Sequence, residues 1–123
     1  MAITCLIVDD NEPFLRAAQV LLEREGLLVM GTTSTSDEAV RQVETLHPDV
    51  VLVDIFLGEE SGLDLAKRLS ETYSGDRPTV ILISTHSDRD AAELIASSAA
   101  DGFLPKVELS AAAVRNVVEA NDG

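Results

Sequence analysis

Apolar residues recur along this chain in two alternating patterns, short continuous runs and longer segments in which they return every three or four positions. Continuous runs are typical of strands buried on both faces, since a half-exposed strand alternates with polar residues. Spacing of three or four is typical of helices with one buried face. The predicted strands are Thr4 to Val8, Leu27 to Thr32, Val50 to Val53, Thr79 to Ile83 and Gly102 to Leu104.

The first predicted helix has clear limits in the sequence. Asn11 or Glu12 can cap its start, and Gly26 can end it, because glycine adopts the left-handed conformation found after helices. We expect its buried face to be formed by Phe14, Ala18, Leu21 and Leu22.

Four further helices are predicted after the later strands. The pattern Thr35-Ser36-Asp37-Glu38 is typical of a capping box and opens a helix that runs to about Leu46. The others are expected from Ser61 or Gly62, over Ala91 to Ser97, and from Ser110 to about Ala120. This alternation predicts an α/β fold with a doubly wound, five-stranded parallel sheet and five helices on its two faces. We expect residues 1–123 to form one domain, with no output domain in this chain.

Polar side chains follow four of the five buried strands. Asp9 and Asp10 follow the first strand, Asp54 the third, Ser84 the fourth and Lys106 the fifth. The carboxyl ends of parallel strands meet at one end of the sheet, where ligands of such folds bind. Asp54 therefore becomes the candidate functional centre.

The strand order 2-1-3-4-5, one of two common doubly wound arrangements, makes strands one, three, four and five neighbours. Strand two ends only on Thr32 and Thr33, which favours a place at the edge of the sheet. Neighbouring strands lie about 4.8 Å apart, so Asp10 and Asp54 can reach one point between them. Lys106 would lie about 10 Å from strand three, within reach of its long side chain.

Clustered carboxylates indicate a cation. Two of them about 4 Å apart repel by roughly 4 kcal/mol at an effective dielectric of about 20. Oxygen ligands, here carboxylates with carbonyls and water, favour Mg²⁺ over softer metals. A metal, Lys106 and Ser84 around Asp54 would form a cradle for a phosphoryl group, with Asp54 as the nucleophile.

The net charge of −13 changes the picture of possible partners. It disfavours binding of nucleic acid by this chain alone, and of anionic membranes, because both depend on basic residues. The apolar start lacks a basic region and runs into Asp9, so it predicts a strand rather than a signal peptide. With Cys5 as its single cysteine, expected as a buried small hydrophobe, the chain is predicted to be cytoplasmic.

Four motifs carry a family resemblance. In order, and each at the end of a strand, they are Val8-Asp9-Asp10, Val53-Asp54, Ile83-Ser84 and Gly102-Phe103-Leu104-Pro105-Lys106. Together they resemble the motifs of receiver domains of bacterial two-component response regulators, and the resemblance covers essentially the whole chain. It implies a flavodoxin-like fold and a signalling switch operated by phosphorylation.

The resemblance implies roles for the acidic residues. Asp54 is expected to accept a phosphoryl group from a sensor histidine kinase. Asp9 and Asp10 match the acidic pair of the family, and Asp10 and Asp54 would hold Mg²⁺ together with the backbone carbonyl of Phe56. Lys106 matches the lysine that contacts the phosphate. Such a domain is not an enzyme beyond supporting its own phosphorylation and dephosphorylation.

The resemblance also implies a switch pair, Ser84 and Phe103. On phosphorylation the hydroxyl would move to the phosphate and the ring would turn inward. The surface of helix four, strand five and helix five would change, and it would serve a homodimer or an output partner, as in transcriptional regulation. Lys106 is followed here by Val107, where the family often has a proline after a cis bond.

Three alternatives remain open. A receiver that works without phosphorylation would act only as an interaction module. A haloacid-dehalogenase-like phosphatase needs an Asp-x-Asp motif, whereas Phe56 stands two residues after Asp54. A flavodoxin-like flavin carrier needs a first loop rich in Ser, Thr and Gly, whereas Asp9 and Asp10 would repel a flavin phosphate there.

Overall fold

A computed structural model describes residues 3–72, 77–85, 96 and 98–122 of the chain. In this part the continuous apolar runs form a five-stranded parallel sheet. Its order, β2-β1-β3-β4-β5, confirms the predicted order and the edge position of the second strand. The strands are β1 Thr4–Val8, β2 Leu28–Thr33, β3 Val50–Asp54, β4 Thr79–Ser84 and β5 Gly102–Pro105.

Helices cover both faces of the sheet. Those described are α1 Glu12–Arg24, α2 Ser36–Leu46, α3 Gly62–Thr72 and the last helix, Ala111–Asp122. The helix predicted over 91–97 lies, apart from residue 96, outside the described residues. A two-stranded antiparallel ribbon of Phe56–Leu57 and Glu60–Ser61, which was not predicted, follows β3.

The predicted helix starts are confirmed by their hydrogen bonds. Asn11 Oδ1 accepts the backbone N–H of Phe14 at 3.1 Å, and Thr35 Oγ1 accepts that of Glu38 at 3.2 Å. Each cap satisfies a donor that would otherwise lack a partner in the first helical turn. The sequence-local signals therefore place both helices correctly against their preceding strands.

The prediction of which residues form the buried face of α1 is wrong in part. The buried residues are Leu15, Ala18 and Leu22, whereas Leu21 is 38% exposed and Phe14 is half-buried. Leu15, Ala18 and Leu22 follow one another at intervals of three and four, so they share the face turned to the sheet. Leu21 lies about 100° around the helix from Leu22 and faces away.

The core has two layers, one on each face of the sheet. Along β3, Val50 and Leu52 pack towards α1 and the last helix, and Val51 and Val53 pack towards α2 and α3. All four side chains are fully buried. This alternation explains why the run is apolar at every position, as predicted for a strand covered on both faces.

The last helix is joined to its neighbours by unusually direct contacts. A Cβ on Gly102 of β5 would lie 2.7 Å from Val117 Cγ1, so the strand backbone packs directly against the Val117 side chain of the last helix. Glu25, after α1, accepts the backbone N–H of Ala111 on Oε1 at 2.8 Å. Its carbonyl oxygen accepts Arg115 Nη2 at 3.2 Å. The start of the last helix is thereby held to the end of α1.

No helix in the part of the chain that the structure describes is both long enough and apolar enough to cross a membrane.

Candidate functional site: an acidic cluster closed by a lysine

The polar residues predicted to share one end of the sheet do so. Asp9 directly follows β1, Asp54 and Ser84 are the last residues of β3 and β4, and Lys106 directly follows β5. The parallel register pairs Asp54 with Ile83 and Ser84 with Pro105, which aligns these strand ends. Lys106 also opens a short 3₁₀ helix, Lys106–Glu108.

Three carboxylates form the cluster. Asp9, Asp10 and Asp54 each offer an oxygen, and these oxygens all lie within 4.8 Å of one another. Asp9 is fully buried and Asp54 is 7% exposed, whereas Asp10 is exposed. The cluster is therefore open to solvent on the Asp10 side only.

Lys106 closes the cluster from the opposite side. Its Nζ lies 2.7 Å from Asp9 Oδ2 and 3.0 Å from Asp54 Oδ2, and its side chain is 10% exposed. The predicted reach of this lysine across the strand ends is confirmed. One ammonium faces three carboxylates, so the site keeps an excess of negative charge.

The carboxylates also accept backbone hydrogen bonds, but not on every oxygen. Asp9 Oδ1 accepts the N–H of Asn11 at 2.9 Å, and Asp54 Oδ1 accepts that of Phe56 at 3.0 Å. Asp9 Oδ2 is buried, and its contact with Lys106 is an ion pair without hydrogen-bond geometry; it has no hydrogen-bond partner among the described residues. A buried oxygen left in this state beside two other carboxylates fits a site for a hard divalent cation.

The pKa values of the central pair reflect burial and charge. Burial raises the pKa of Asp54, and the nearby charge of Asp9 raises it further, against the opposing effects of the Phe56 N–H and Lys106. Burial alone would lower the pKa of Lys106. The hydrogen bond to Asp54 and the negative charges of Asp9 and Asp54 outweigh burial, so its pKa is raised and the ammonium stays charged at neutral pH.

Two residues of the site were not predicted. The ring centroid of Phe14 lies 4.3 Å from Lys106 Nζ, in a cation–π contact. A Cβ on Gly62 would lie 2.0 Å from the carbonyl oxygen of Asp54, so only glycine fits there without moving the backbone of Asp54. The Gly62 N–H also donates to the carbonyl of Ile55 at 2.7 Å.

The remaining predicted residues lie nearby in different surroundings. Ser84 is 2% exposed. Phe103 is half-buried, pairs with Leu82 in register and packs on the core layer towards α2 and α3. The Phe56 ring is 60% exposed, although its N–H binds Asp54. No peptide bond between described residues is cis, so the Lys106–Val107 bond is trans.

Comparison with known proteins identifies the family. The family model of the response regulator receiver domain matches residues 5–119. The chain therefore belongs to the response regulator receiver domains, which are modules of two-component signalling. Receiver domains of response regulators interact with histidine kinases and with output domains.

Individual relatives give the same class. The chain is 29% identical over 104 residues to the DNA-binding transcriptional activator EvgA of Escherichia coli K12. The matched region covers 84% of this chain and 50% of EvgA. It is 32% identical over 108 residues to a protein-glutamate methylesterase/protein-glutamine glutaminase of Idiomarina loihiensis, covering 86% of this chain and 28% of that protein. The chain thus spans half or less of the length of these relatives.

A solved structure with the same fold is the signal receiver domain of a modulated diguanylate cyclase from Desulfovibrio desulfuricans G20. The two share 29% sequence identity with a TM-score of 0.77, over 98% of this chain and 93% of that one. This likeness agrees with the doubly wound sheet described above.

Proposed function

We propose that Asp54 accepts a phosphoryl group from the phosphohistidine of a sensor histidine kinase, and that this modification switches the chain between two signalling states. The observation that carries the proposal is the nearly buried Asp54 carboxylate, which lies beside two further carboxylates and 3.0 Å from the Lys106 ammonium. Such a group of charges is costly in a resting protein, and it suits a phosphoryl group that arrives with its own negative charge and a cation.

The transfer is a substitution at phosphorus. A carboxylate oxygen of Asp54 forms the new O–P bond while the N–P bond of the phosphohistidine breaks, and the electron pair of that bond returns to the imidazole nitrogen. The Lys106 ammonium stabilises negative charge on the phosphoryl oxygens. The Phe56 N–H, already bonded to Asp54 Oδ1, orients the carboxylate.

The cation site is part of the proposal. Asp9, Asp10 and Asp54, with the backbone carbonyl of Phe56, would hold Mg²⁺, and the orphaned Asp9 Oδ2 supports this assignment. When bound, Mg²⁺ neutralises charge on the carboxylates and on the transferred group. Lys106 keeps Asp9 and Asp54 from repelling each other before the cation arrives.

Intact-mass measurement after incubation with acetyl phosphate and Mg²⁺ tests the acceptor. The wild type should gain one phosphoryl group, and Asp54→Asn should gain none. Asp49→Asn is the matched control, since it removes a carboxylate at the opposite end of the sheet, and it should be labelled like the wild type. Label retained in Asp54→Asn would exclude Asp54 as the acceptor, and an unlabelled wild type would favour a receiver that works without phosphorylation.

The output of the switch is proposed to run through Ser84 and Phe103. Ser84 is buried at the end of β4, where its hydroxyl can donate to a phosphoryl oxygen, and Phe103 lies on the neighbouring strand. Their movement would change the surface of β5, the last helix and the helix predicted over 91–97, and favour a homodimer. Beryllofluoride should tighten self-association in sedimentation velocity, and an unchanged profile would argue against a dimer switch.

The wider role is proposed from the relatives. We infer that residues 1–123 act as one cytoplasmic receiver domain without enzymatic activity on other substrates, which controls an output function such as transcription. The match to the transcriptional activator EvgA supports this reading. The net charge of −13 supports the view that this chain alone does not bind DNA.

A further inference from the structure

Phe14 is the one aromatic ring in contact with the Lys106 ammonium among the described residues. The ring centroid lies 4.3 Å from Nζ, within the range of a cation–π interaction. The lysine side chain is only 10% exposed at this point. Since water cannot fully surround the ammonium there, the ring replaces part of its solvation.

Four contacts connect Phe14 to the acidic cluster, and together they form a closed circuit that begins and ends at Asp9. Asp9 Oδ1 accepts the N–H of Asn11 at 2.9 Å, and Asn11 Oδ1 accepts the N–H of Phe14 at 3.1 Å. The Phe14 ring contacts Lys106 Nζ, which returns to Asp9 Oδ2 at 2.7 Å. The cap of α1 thus fixes the backbone that carries the ring, and Asp9 is bonded at both ends of the chain of contacts.

Lysine needs such a constraint more than most residues. Its side chain has many rotamers, and holding it in one costs conformational entropy that its contacts must offset. The exposed Asp10 carboxylate offers the ammonium another partner towards solvent. A ring face beside Nζ favours the rotamer that contacts Asp9 and Asp54.

We propose that Phe14 is a positioning residue, whose ring holds the Lys106 ammonium against Asp9 and Asp54 and thereby sets the rate of phosphoryl transfer to Asp54. The inference rests on the proposed function, because it assigns Phe14 to that reaction. Phe14 also has a structural role, because it packs against the core layer shared by α1 and the last helix. Leucine would fill that core role, but it offers the ammonium no ring face.

The experiment therefore compares Phe14→Leu with Phe14→Tyr. The rate constant for phosphorylation by acetyl phosphate at saturating Mg²⁺ should fall about threefold to tenfold in Phe14→Leu, the range of a cation–π contact at a partly desolvated site. Phe14→Tyr, which keeps the ring, should stay close to the wild type. Val118→Ala, on the same core layer and outside the site, controls for lost packing and should leave the rate unchanged.

The same substitution in a protein that lacks the Lys106 ammonium distinguishes positioning of the lysine from packing of the core. In Lys106→Met, replacing Phe14 by leucine should cause no further loss of rate, because the ring has no ammonium to hold. Equal loss in both backgrounds, or no loss in either, would overturn the proposal. These outcomes assign any effect of Phe14 either to the lysine or to the core.

Proton NMR of the Lys106 side chain gives a readout that needs no phosphorylation. The ring current of Phe14 should shift the ε-methylene signals of Lys106 in the wild type, and that shift should be lost in Phe14→Leu and kept in Phe14→Tyr. Equal signals in Phe14→Leu and the wild type would contradict the proposed contact. If the wild type accepted no phosphoryl group at all, the proposed function would fail, while these signals would still decide whether the Phe14 ring lies against the ammonium.

Discussion

The two ends of the parallel sheet both carry aspartates, but their carboxylates have different partners. At the amino end, Asp49 Oδ2 accepts the N–H and the hydroxyl of Thr4 at 2.9 and 3.0 Å. Asp101 accepts both Arg77 guanidinium nitrogens, at 3.1 and 2.8 Å, and the N–H of Val80 at 2.9 Å. These carboxylates join neighbouring strands through bonds to backbone and side chains.

At the carboxyl end, the acids instead face one another. Asp9, Asp10 and Asp54 cluster there, only Asp9 and Asp54 among them pair with the Lys106 ammonium in the described part of the chain, and Asp9 Oδ2 has no hydrogen bond within the described residues. The same residue type is thus structural where its oxygens are satisfied by the fold. At the carboxyl end the fold leaves negative charge that a ligand could neutralise, and there we propose a reactive role.

The largest expected effect concerns the backbone that places Asp54. Gly62→Ala should lower the free energy of unfolding by about 3 kcal/mol, because its Cβ would overlap the Asp54 carbonyl oxygen and force the backbone apart. Chemical denaturation measures this loss. Gly31→Ala is the matched control, since its Cβ would have no neighbour closer than 3.5 Å; an equal loss in both variants would show that the carboxyl end has no special constraint.

Removing the Lys106 ammonium tests whether the carboxyl end of the sheet responds to Mg²⁺ and the amino end does not. Lys106→Met should lower the free energy of unfolding by about 2 kcal/mol without metal, less than the 3–5 kcal/mol of a fully buried pair because Asp10 is open to water. Added Mg²⁺ should restore most of that loss, as measured by thermal melts with and without the ion. A loss that Mg²⁺ leaves unchanged would contradict a cation site among these carboxylates.

A destabilising change at the amino end of the sheet should not respond to Mg²⁺. Asp101→Ala leaves the Val80 N–H and Arg77 without their partner and should cost about 1–2 kcal/mol of unfolding free energy. Because Asp101 lies at the opposite end of the sheet from the acidic cluster, Mg²⁺ should not restore the loss. Phosphorylation of the folded variant by acetyl phosphate should match the wild type, and a lower rate would break the distinction between the ends.

The smallest expected effect is a gain of stability. Since burial raises the pKa of Asp54 above 3.8, its ionisation costs the folded state free energy. Asp54→Asn should therefore be slightly more stable than the wild type near neutral pH without metal. The difference should shrink as pH falls through the raised pKa of the folded state and vanish below 3.8, where the carboxyl group is protonated in both states. Denaturation across pH measures it, and a less stable variant at neutral pH would contradict the sign.

Much of this arrangement can be predicted from the sequence because its signals are local. A buried strand that ends on Asp54 and another that ends before Lys106 define the carboxyl end of the sheet, and the alternation of elements then brings these ends together. The cap residue Asn11 acts within one helical turn and is equally readable. The proposed roles of Asp54 and Lys106 depend on this placement.

Other residues depend on contacts that no local pattern contains. Phe14 reads as a core residue of α1, and only the folded chain brings its ring to Lys106. Gly62 reads as a helix start, and its need to be glycine comes from the approach of the Asp54 backbone. The sequence pattern wrongly predicts Leu21 on the buried face of α1, because Leu21 and Leu22 are adjacent apolar residues and the spacing does not decide which of them faces the sheet.

The contact between Gly102 and Val117 has a mechanical consequence. Because Gly102 has no side chain, the backbone of β5 rests directly on the short Val117 side chain of the last helix. A displacement of β5 would therefore press on the last helix with little room for either element to yield, and a larger residue at position 102 would push the two elements apart.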